Sequence, residues 1–280
     1  MSSKHTLELN SGSRFAFGEN WSKFLNVLDD KRIRMAELSL REMLEVECLE
    51  GKTFLDIGSG SGLFSLAARR LGAIVHSFDY DPQSVECTSE LKQRYFPDDQ
   101  QWKVEQGSVL DTTYLKSLGQ WDVVYSWGVL HHTGAMQKAM DNVAYLVRGG
   151  GKLFIAIYNN QGRASKMWLR IKHAYNRLPS SLRWLVLWPA FLRLWGPTTA
   201  RDLLRGRPFE TWRHYSIKNS MRGMSPWCNV VDWVGGLPFE VAKPEEIFNF
   251  YRDRGFVLRQ LKTCAGGQGC NEFVFQAQQA

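Results

Sequence analysis

Two adjacent histidines, His131 and His132, close the stretch "WDVVYSWGVLHH". An imidazole titrates near neutrality, so either ring could take a proton from a hydroxyl or thiol. Adjacent side chains seldom point the same way. At most one histidine is therefore expected to face a substrate as a general base, and the alternative is a histidine that packs on or bonds to a cofactor. A second group lies in "FLDIGSGSG" (54–62), where an apolar run ends in Asp56 and breaks into Gly58, Gly60 and Gly62 around Ser59. Glycines let the backbone turn sharply and approach a ligand, and a following helix offers unpaired N–H groups. Such a loop suits a phosphate, a nucleoside or only a tight turn. Nineteen residues after Gly60 the next apolar run ends in Asp79. In nucleoside-binding α/β folds, an acid at that place accepts hydrogen bonds from ribose hydroxyls. The GxGxG spacing departs from the GxGxxG dinucleotide fingerprint, so the loop gains its meaning from Asp56 and Asp79 together.

These residues need strands to end at one edge. "KTFLDI", "AIVHSF", "QWKVEQ", "WDVVYSW" and "GKLFIAIY" read as five strands. "GLFSLAARRLG", "PQSVECTSELKQRYF" and "AMQKAMDNVAYLV" read as helices between them, with Asp81 and Pro82 opening the second. Such alternation implies a parallel sheet covered on both faces. "KPEEIFNFYRDRG" is a further helix, and "FVLRQLKT" and "NEFVFQA", joined by "CAGGQGC", form an antiparallel pair. The expected fold is a Rossmann-like doubly wound α/β sheet of seven strands with an antiparallel last strand. Residues 1–50 form an N-terminal helical cap, with 19–47 read as helical. The core is 51–159 and 241–280, and 160–240 is a large helical insertion after the fifth strand.

The chain has 280 residues, a net charge of +7 and 44% hydrophobic residues, which is ordinary for a globular protein. The N-terminus is polar, no run suits a membrane-spanning helix, and five scattered cysteines lack CxxC spacing. A reducing, cytoplasmic setting is expected, and neither a disulfide framework nor a metal site.

On these residues the chain resembles the class I S-adenosylmethionine-dependent methyltransferases over about 50–158 and 243–277. "FLDIGSGSG" is similar to their first motif, which implies that Asp56, Gly58, Ser59, Gly60 and Gly62 line the methionine part of the cofactor. "FDYD" is similar to the acidic loop, implying that Asp79 holds the ribose and Tyr80 packs on the adenine. "QGSVLD" stands where the family has Gly-Asp, so Ser108 replaces the acid there, with Val109 beside it. Trp127 is either adenosine-pocket wall or core. The "GVLHH" end and the reversed last strand resemble quinol and small-molecule methylases of the ubiquinone-biosynthesis type. "FAFGENW" and "GCNEFVF" also resemble segments of unassigned bacterial proteins. The resemblance implies methyl transfer from S-adenosylmethionine, giving S-adenosylhomocysteine, to a small or lipid-like acceptor, most readily at oxygen, without a metal. A tRNA-modifying enzyme of the same fold and a non-catalytic nucleoside-binding regulator are the alternatives. Tyr158 and Asn159 at the end of the fifth strand, with Asp232 and Trp21, are the candidate substrate contacts.

The insertion is unusual. Residues 163–222 hold 13 Lys and Arg against Asp202 and Glu210, so the remainder of the chain is mildly acidic. Seven of the eleven tryptophans fall in 168–233. "RASKMWLRIKHAYNRL" places Met167, Trp168, Ile171 and Tyr175 on one helical stripe, and "LRWLVLWPAFLRLW" (182–195) is almost wholly apolar. This suits a lid or homo-oligomer face, peripheral contact of 163–195 with the inner face of an anionic membrane, or nucleic acid. A lid over a hydrophobic acceptor pocket is the leading expectation.

Overall fold

A computed structural model describes residues 4–213 and 226–279. The part of the expected insertion from 214 to 225 lies outside the described residues, with its share of the basic charge.

Seven strands form one sheet in the order β3-β2-β1-β4-β5-β7-β6. They are β1 (Thr53–Ile57), β2 (Ile74–Asp79), β3 (Trp102–Gln106), β4 (Trp121–Trp127), β5 (Val147–Tyr158), β6 (Phe256–Lys262) and β7 (Cys270–Ala277). β1 to β5 pair in parallel, and β7 runs antiparallel to both β5 and β6. The seven-stranded expectation agrees with this topology. Strand order reverses between β1 and β4, which opens a crevice at their carboxyl ends, where open α/β sheets bind ligands.

The two faces sort by alternation along the strands. Phe54, Tyr125, Phe154 and Val274 enter one core, beneath α3 (Asp30–Leu44), α4 (Leu63–Arg70) and α5 (Pro82–Tyr95). Leu55, Val124, Leu153 and Phe273 enter the other, beneath α7 (Met136–Tyr145) and α11 (Pro244–Arg252). Asp81 caps α5 by accepting from the Gln83 N–H, with Pro82 at the first helical position.

The N-terminal helical reading needs refinement. A helix α1 (Lys4–Asn10) precedes α2 (Phe17–Leu25), and α3 starts anew after Asp29, whose carboxylate caps it through the Arg32 N–H. A short helix, α6 (Thr112–Leu118), capped by Asp111, was also not foreseen; seven residues give too little periodicity to see. Beyond β5, α8 (Arg163–Arg177), α9 (Trp184–Leu204) and α10 (Pro226–Gly235) share a third core. That core contains Trp168, Tyr175, Leu187, Trp195 and Val234, together with Phe15 from the chain's start. α9 runs well past the expected end at 195, through Pro189 and Pro197. Proline removes one ladder bond, but Leu187, Ala190 and Trp195 bury one side of this helix and hold it continuous.

Candidate functional site

The glycine loop after β1 folds back on β2, the N–H groups of Gly58 and Ser59 donating to the Phe78 carbonyl at 2.8 and 3.2 Å. Gly58 has φ +76°, and a Cβ there would lie 2.5 Å from Val129. Gly60 has φ +56°, and a Cβ there would press within 2.9 Å of the Trp21 indole. Any side chain at either place would meet a fixed wall in a strained backbone. Gly62 plays another part, capping α4 against Thr88 away from the cavity walls. The Ser59 hydroxyl lies 2.9 Å from that of Thr88.

Asp79, at the end of β2, locks this loop. Its Oδ2 accepts from the Gly60 N–H and its Oδ1 from the Asp81 N–H, both at 2.9 Å. A carboxylate has about four acceptor sites, so room remains for ligand hydroxyls. Burial pushes its pKa up to about 6. Asp56 is more deeply buried, accepting from the Ser65 hydroxyl at 2.5 Å. Ser65 meets Ser77, which in turn accepts from the Trp102 indole N–H. Burial raises the Asp56 pKa to about 7.

A cavity of about 1150 Å³, counting its open mouth, runs along this edge. One part of its wall is Asp79, Tyr80, Gly107, Ser108 and Val109. Another is Phe15, Phe17, His132, Thr133, Tyr158 and Asp232. A smaller cavity of about 410 Å³ contains Asp56, Ser59 and Gly60, and shares Trp21, Gly58 and Trp127 with the larger one. The two tryptophans therefore stand where the cavities meet. Burial raises the pKa of Glu272, against the lowering influence of Lys262 and Trp127.

The chain's start is strapped across the mouth. Gly18 N–H donates to Asp81 at 2.9 Å, His5 approaches Asp81 at 3.8 Å, and the Arg14 guanidinium lies 4.8 Å over the Tyr80 ring. Arg14 also donates to the His132 carbonyl, and the Phe15 N–H to that of Leu237. The strap thus joins the Tyr80 side of the cavity to the histidine side.

The paired histidines diverge. His132 lines the cavity, and its Nδ1–H donates to the Pro238 carbonyl at 2.6 Å. Only a protonated Nδ1 can do so, which makes Nε2 the basic nitrogen of the neutral ring. His131 is fully buried, stacks 3.9 Å from the Tyr158 ring, and is not among the lining residues. Its Nδ1 accepts from the Tyr158 N–H at 3.3 Å, so its proton sits on Nε2. The neighbours therefore hold opposite tautomers, one presented to the cavity and one to the backbone.

Tyr158 also meets Trp233 at 5.0 Å and Phe239 at 5.6 Å, forming an aromatic corner. Asn159 turns away. Its Nδ2 donates to the Gly267 carbonyl, its Oδ1 accepts from Asn271, and it anchors the glycine turn between β6 and β7. Asp232, on α10, reaches the cavity and accepts from Asn20 at 2.7 Å.

Behind that corner lies a residue that the sequence reading did not single out. Lys172 is fully buried, donates to the Trp233 carbonyl, and sits 4.9 and 4.6 Å from the Trp233 and Phe239 rings. Burial lowers its pKa to about 7, against the raising influence of Asp232. The signal was present in spacing, because Trp168, Lys172 and Tyr175 fall on one helical stripe. Val129 and Asn20 were also overlooked, since neither type announces a role without its spatial partner. Among the described residues no group of three or more His, Cys, Asp or Glu could hold a metal ion.

Residues 28–214 match the family described as "Methyltransferase domain". A ubiquinone biosynthesis O-methyltransferase of Escherichia coli is 32% identical over 123 residues, which cover 43% of this chain and 48% of that protein. The chain thus spans about half the length of the curated relatives it matches. Among solved structures, magnesium protoporphyrin IX methyltransferase from Synechocystis PCC 6803, with bound S-adenosylhomocysteine, superposes with a TM-score of 0.51 at 13% identity, covering 88% of this chain and 83% of that one. The [4+2]-cyclase SpnF gives 0.52 at 11% identity, with 89% and 82% covered. Identities this low show a shared fold, and the second neighbour warns that the fold alone does not name a reaction.

Proposed function

Because the chain belongs to the methyltransferase-domain family, we propose that it moves a methyl group from S-adenosylmethionine to an oxygen of a small or lipophilic acceptor. One observation carries this reading. A single cavity joins the Asp79–Ser108–Val109 wall to the His132–Tyr158–Asp232 wall.

The residues present fit the cofactor. Asp79 stands at the end of β2 within reach of a ribose, and the Ser108 hydroxyl can donate to a purine ring. Trp21, Gly58 and Trp127 line both cavities, where the extended methionine chain would pass from one to the other. Asp56 and Asp79 are buried acids with raised pKa values, so a ligand bringing an ammonium and a sulfonium would favour their charged forms. When bound, S-adenosylmethionine supplies an electrophilic methyl on a positively charged sulfur.

This chain's own residues then have three tasks. The strap of Phe15 and Phe17, with Tyr158, excludes water and holds the acceptor's apolar body against the cavity. His132 Nε2 receives the acceptor's hydroxyl proton, its ring held in that tautomer by the Pro238 carbonyl. Asp232, oriented by Asn20, offers a carboxylate to a second polar group of the acceptor. His131 serves as support, carrying Tyr158 on its ring and backbone bond.

The test is a methylation screen of small-molecule and lipid extracts with isotopically labelled cofactor, followed by mass spectrometry of the product. The reading requires a labelled methyl on an acceptor oxygen. Transfer to RNA, or cofactor binding without turnover on any acceptor, would refute it.

A further inference from the structure

Among the described residues, the outer side of the first half of α9 is apolar and largely exposed, Trp188 resting partly against Trp227. Trp184, Leu185, Trp188 and Leu192 recur along its first three turns and are exposed, Leu192 at 62%. Leu204, the last residue of the helix, is 90% exposed, and Phe209 beyond it is also exposed. Leu187 and Ala190 on the other side enter the core shared with Phe15, and Trp195, two turns on from Trp188, is buried against Trp212. Isolated exposed apolar residues are normal on protein surfaces, but a run of tryptophans and leucines along one helix marks an interaction surface.

Basic residues predominate on the surface of α8, α9 and the residues just after α9. Arg163, Lys166, Arg170, Arg193, Arg205 and Arg207 are exposed. Between 163 and 213 the sequence has two acids: Asp202, which is buried and accepts from the Thr211 N–H and hydroxyl, and Glu210, which pairs with Arg207. No helix among the described residues is long and apolar enough to cross a membrane, so α9 could meet lipid only by lying along it.

We propose that this side of α9 docks on an anionic lipid surface, with Trp184, Leu185, Trp188 and Leu192 entering the acyl–headgroup boundary and the flanking arginines meeting headgroup phosphates. Tryptophan suits that boundary, having an apolar body and a polar N–H. A basic helix with one apolar face binds in this way, each cation near the surface adding to the attraction. A second copy of the chain is a poorer occupant. A symmetric dimer through this face would set two positively charged surfaces against each other. RNA would answer the cations and stack on the tryptophans, yet leave Leu185, Leu192 and Leu204 without partners. The face belongs to the helices that back the acceptor wall, since α9 packs on α8 and α10 in one core. Docking does not rest on the methyl-transfer reading, because it needs neither cofactor nor acceptor.

The experiment uses the whole chain without cofactor, sedimented with vesicles of phosphatidylcholine alone or of equal phosphatidylcholine and phosphatidylglycerol. The chain is expected to pellet with the anionic vesicles at least about tenfold more strongly than with neutral ones, and to be released by high salt. The combined variant Leu185→Gln, Trp188→Gln, Leu192→Gln should lose at least about tenfold in vesicle affinity. So should Arg193→Glu with Arg205→Glu, while circular dichroism and S-adenosylhomocysteine affinity stay at the wild-type level in both. Wild-type chain left in the supernatant would overturn the proposal, as would undiminished binding by both variants. A wild-type dimer that the apolar variant splits, with vesicle binding unaltered, would also overturn it in favour of a second copy. Preference for a short RNA over anionic vesicles would overturn it in favour of nucleic acid.

Discussion

Along the ends of β1, β2 and β3, the cavity wall comes from residues 56–109, a short span in which each strand delivers its ligand-facing residues in turn. On the other side, Phe15, Phe17, His132, Tyr158 and Asp232 come from the chain's start, from the ends of β4 and β5, and from α10. The first wall is made mostly of backbone turns and acids held by backbone N–H groups. The second is made of side chains held by one another, as in the contact of His131, Tyr158, Trp233 and Phe239. A wall of backbone is set by local geometry, whereas a wall of side chains can change without moving a strand. The acceptor side is where a fold shared by enzymes of differing substrates is expected to vary.

Substitutions should divide along the same line. The largest effect is expected from His132→Ala, which should lower turnover by about 10²–10⁴ while S-adenosylhomocysteine affinity changes only a few-fold. His131→Ala should behave differently. It removes the acceptor of the Tyr158 N–H inside the core, and chemical denaturation should register a loss of about 1–3 kcal/mol. Equal loss of cofactor affinity in the His132 variant would move that residue to the other wall and erase the contrast.

Asp79→Ala comes next. It removes the acceptor for two backbone N–H groups and for the ribose, and calorimetry should show cofactor affinity reduced about 30–1000-fold.

Titration separates the two sides by sign. Asp79 and Asp56 have folded pKa values of about 6 and 7, above the ordinary carboxylate value of 3.8. From about pH 4 to 7 the native chain keeps protons that the unfolded chain has released, so these acids make stability fall as pH rises. Lys172 is lowered from 10.5 to about 7. Above pH 7 the unfolded chain keeps the proton that the native chain has lost, so this lysine makes stability rise toward about pH 10. Scanning calorimetry over pH should show the acid limb flattened in Asp79→Asn and the alkaline limb flattened in Lys172→Met. The same flattening from both variants would mean that the two walls titrate as one.

Much of the first wall was legible in the sequence, and little of the second. Asp56, the glycines and Asp79 occur where strand ends meet turns, so residue type and spacing carry their placement. The sequence also offered "LHH" without saying which ring faces the cavity; the Pro238 carbonyl decides that, 106 residues along the chain. Asn159 looked like Tyr158 at a strand end, yet pleating sends the two to opposite sides, and Asn159 holds the Gly267 turn instead. Lys172 was not legible as a buried group, because a lysine ordinarily marks an exposed position, although its stripe partners Trp168 and Tyr175 are buried. The strap of His5 and Arg14 was illegible, because seven residues of α1 carry too weak a pattern and its anchor, Asp81, is also a helix cap.

The smallest effect should come from Ser108→Ala. It deletes one neutral hydroxyl where the resembled family carries an acid, and should weaken cofactor binding by about threefold to tenfold. A loss as large as that of Asp79→Ala would show that the purine end matters as much as the ribose.

The central claim is that the β1–β2–β3 wall holds S-adenosylmethionine, and titration calorimetry with S-adenosylhomocysteine tests it most directly. One site per chain is expected in the wild type, weakened in Asp79→Ala and kept within a few-fold in His132→Ala. No heat with S-adenosylhomocysteine, together with saturable binding of NAD at the same wall, would contradict it.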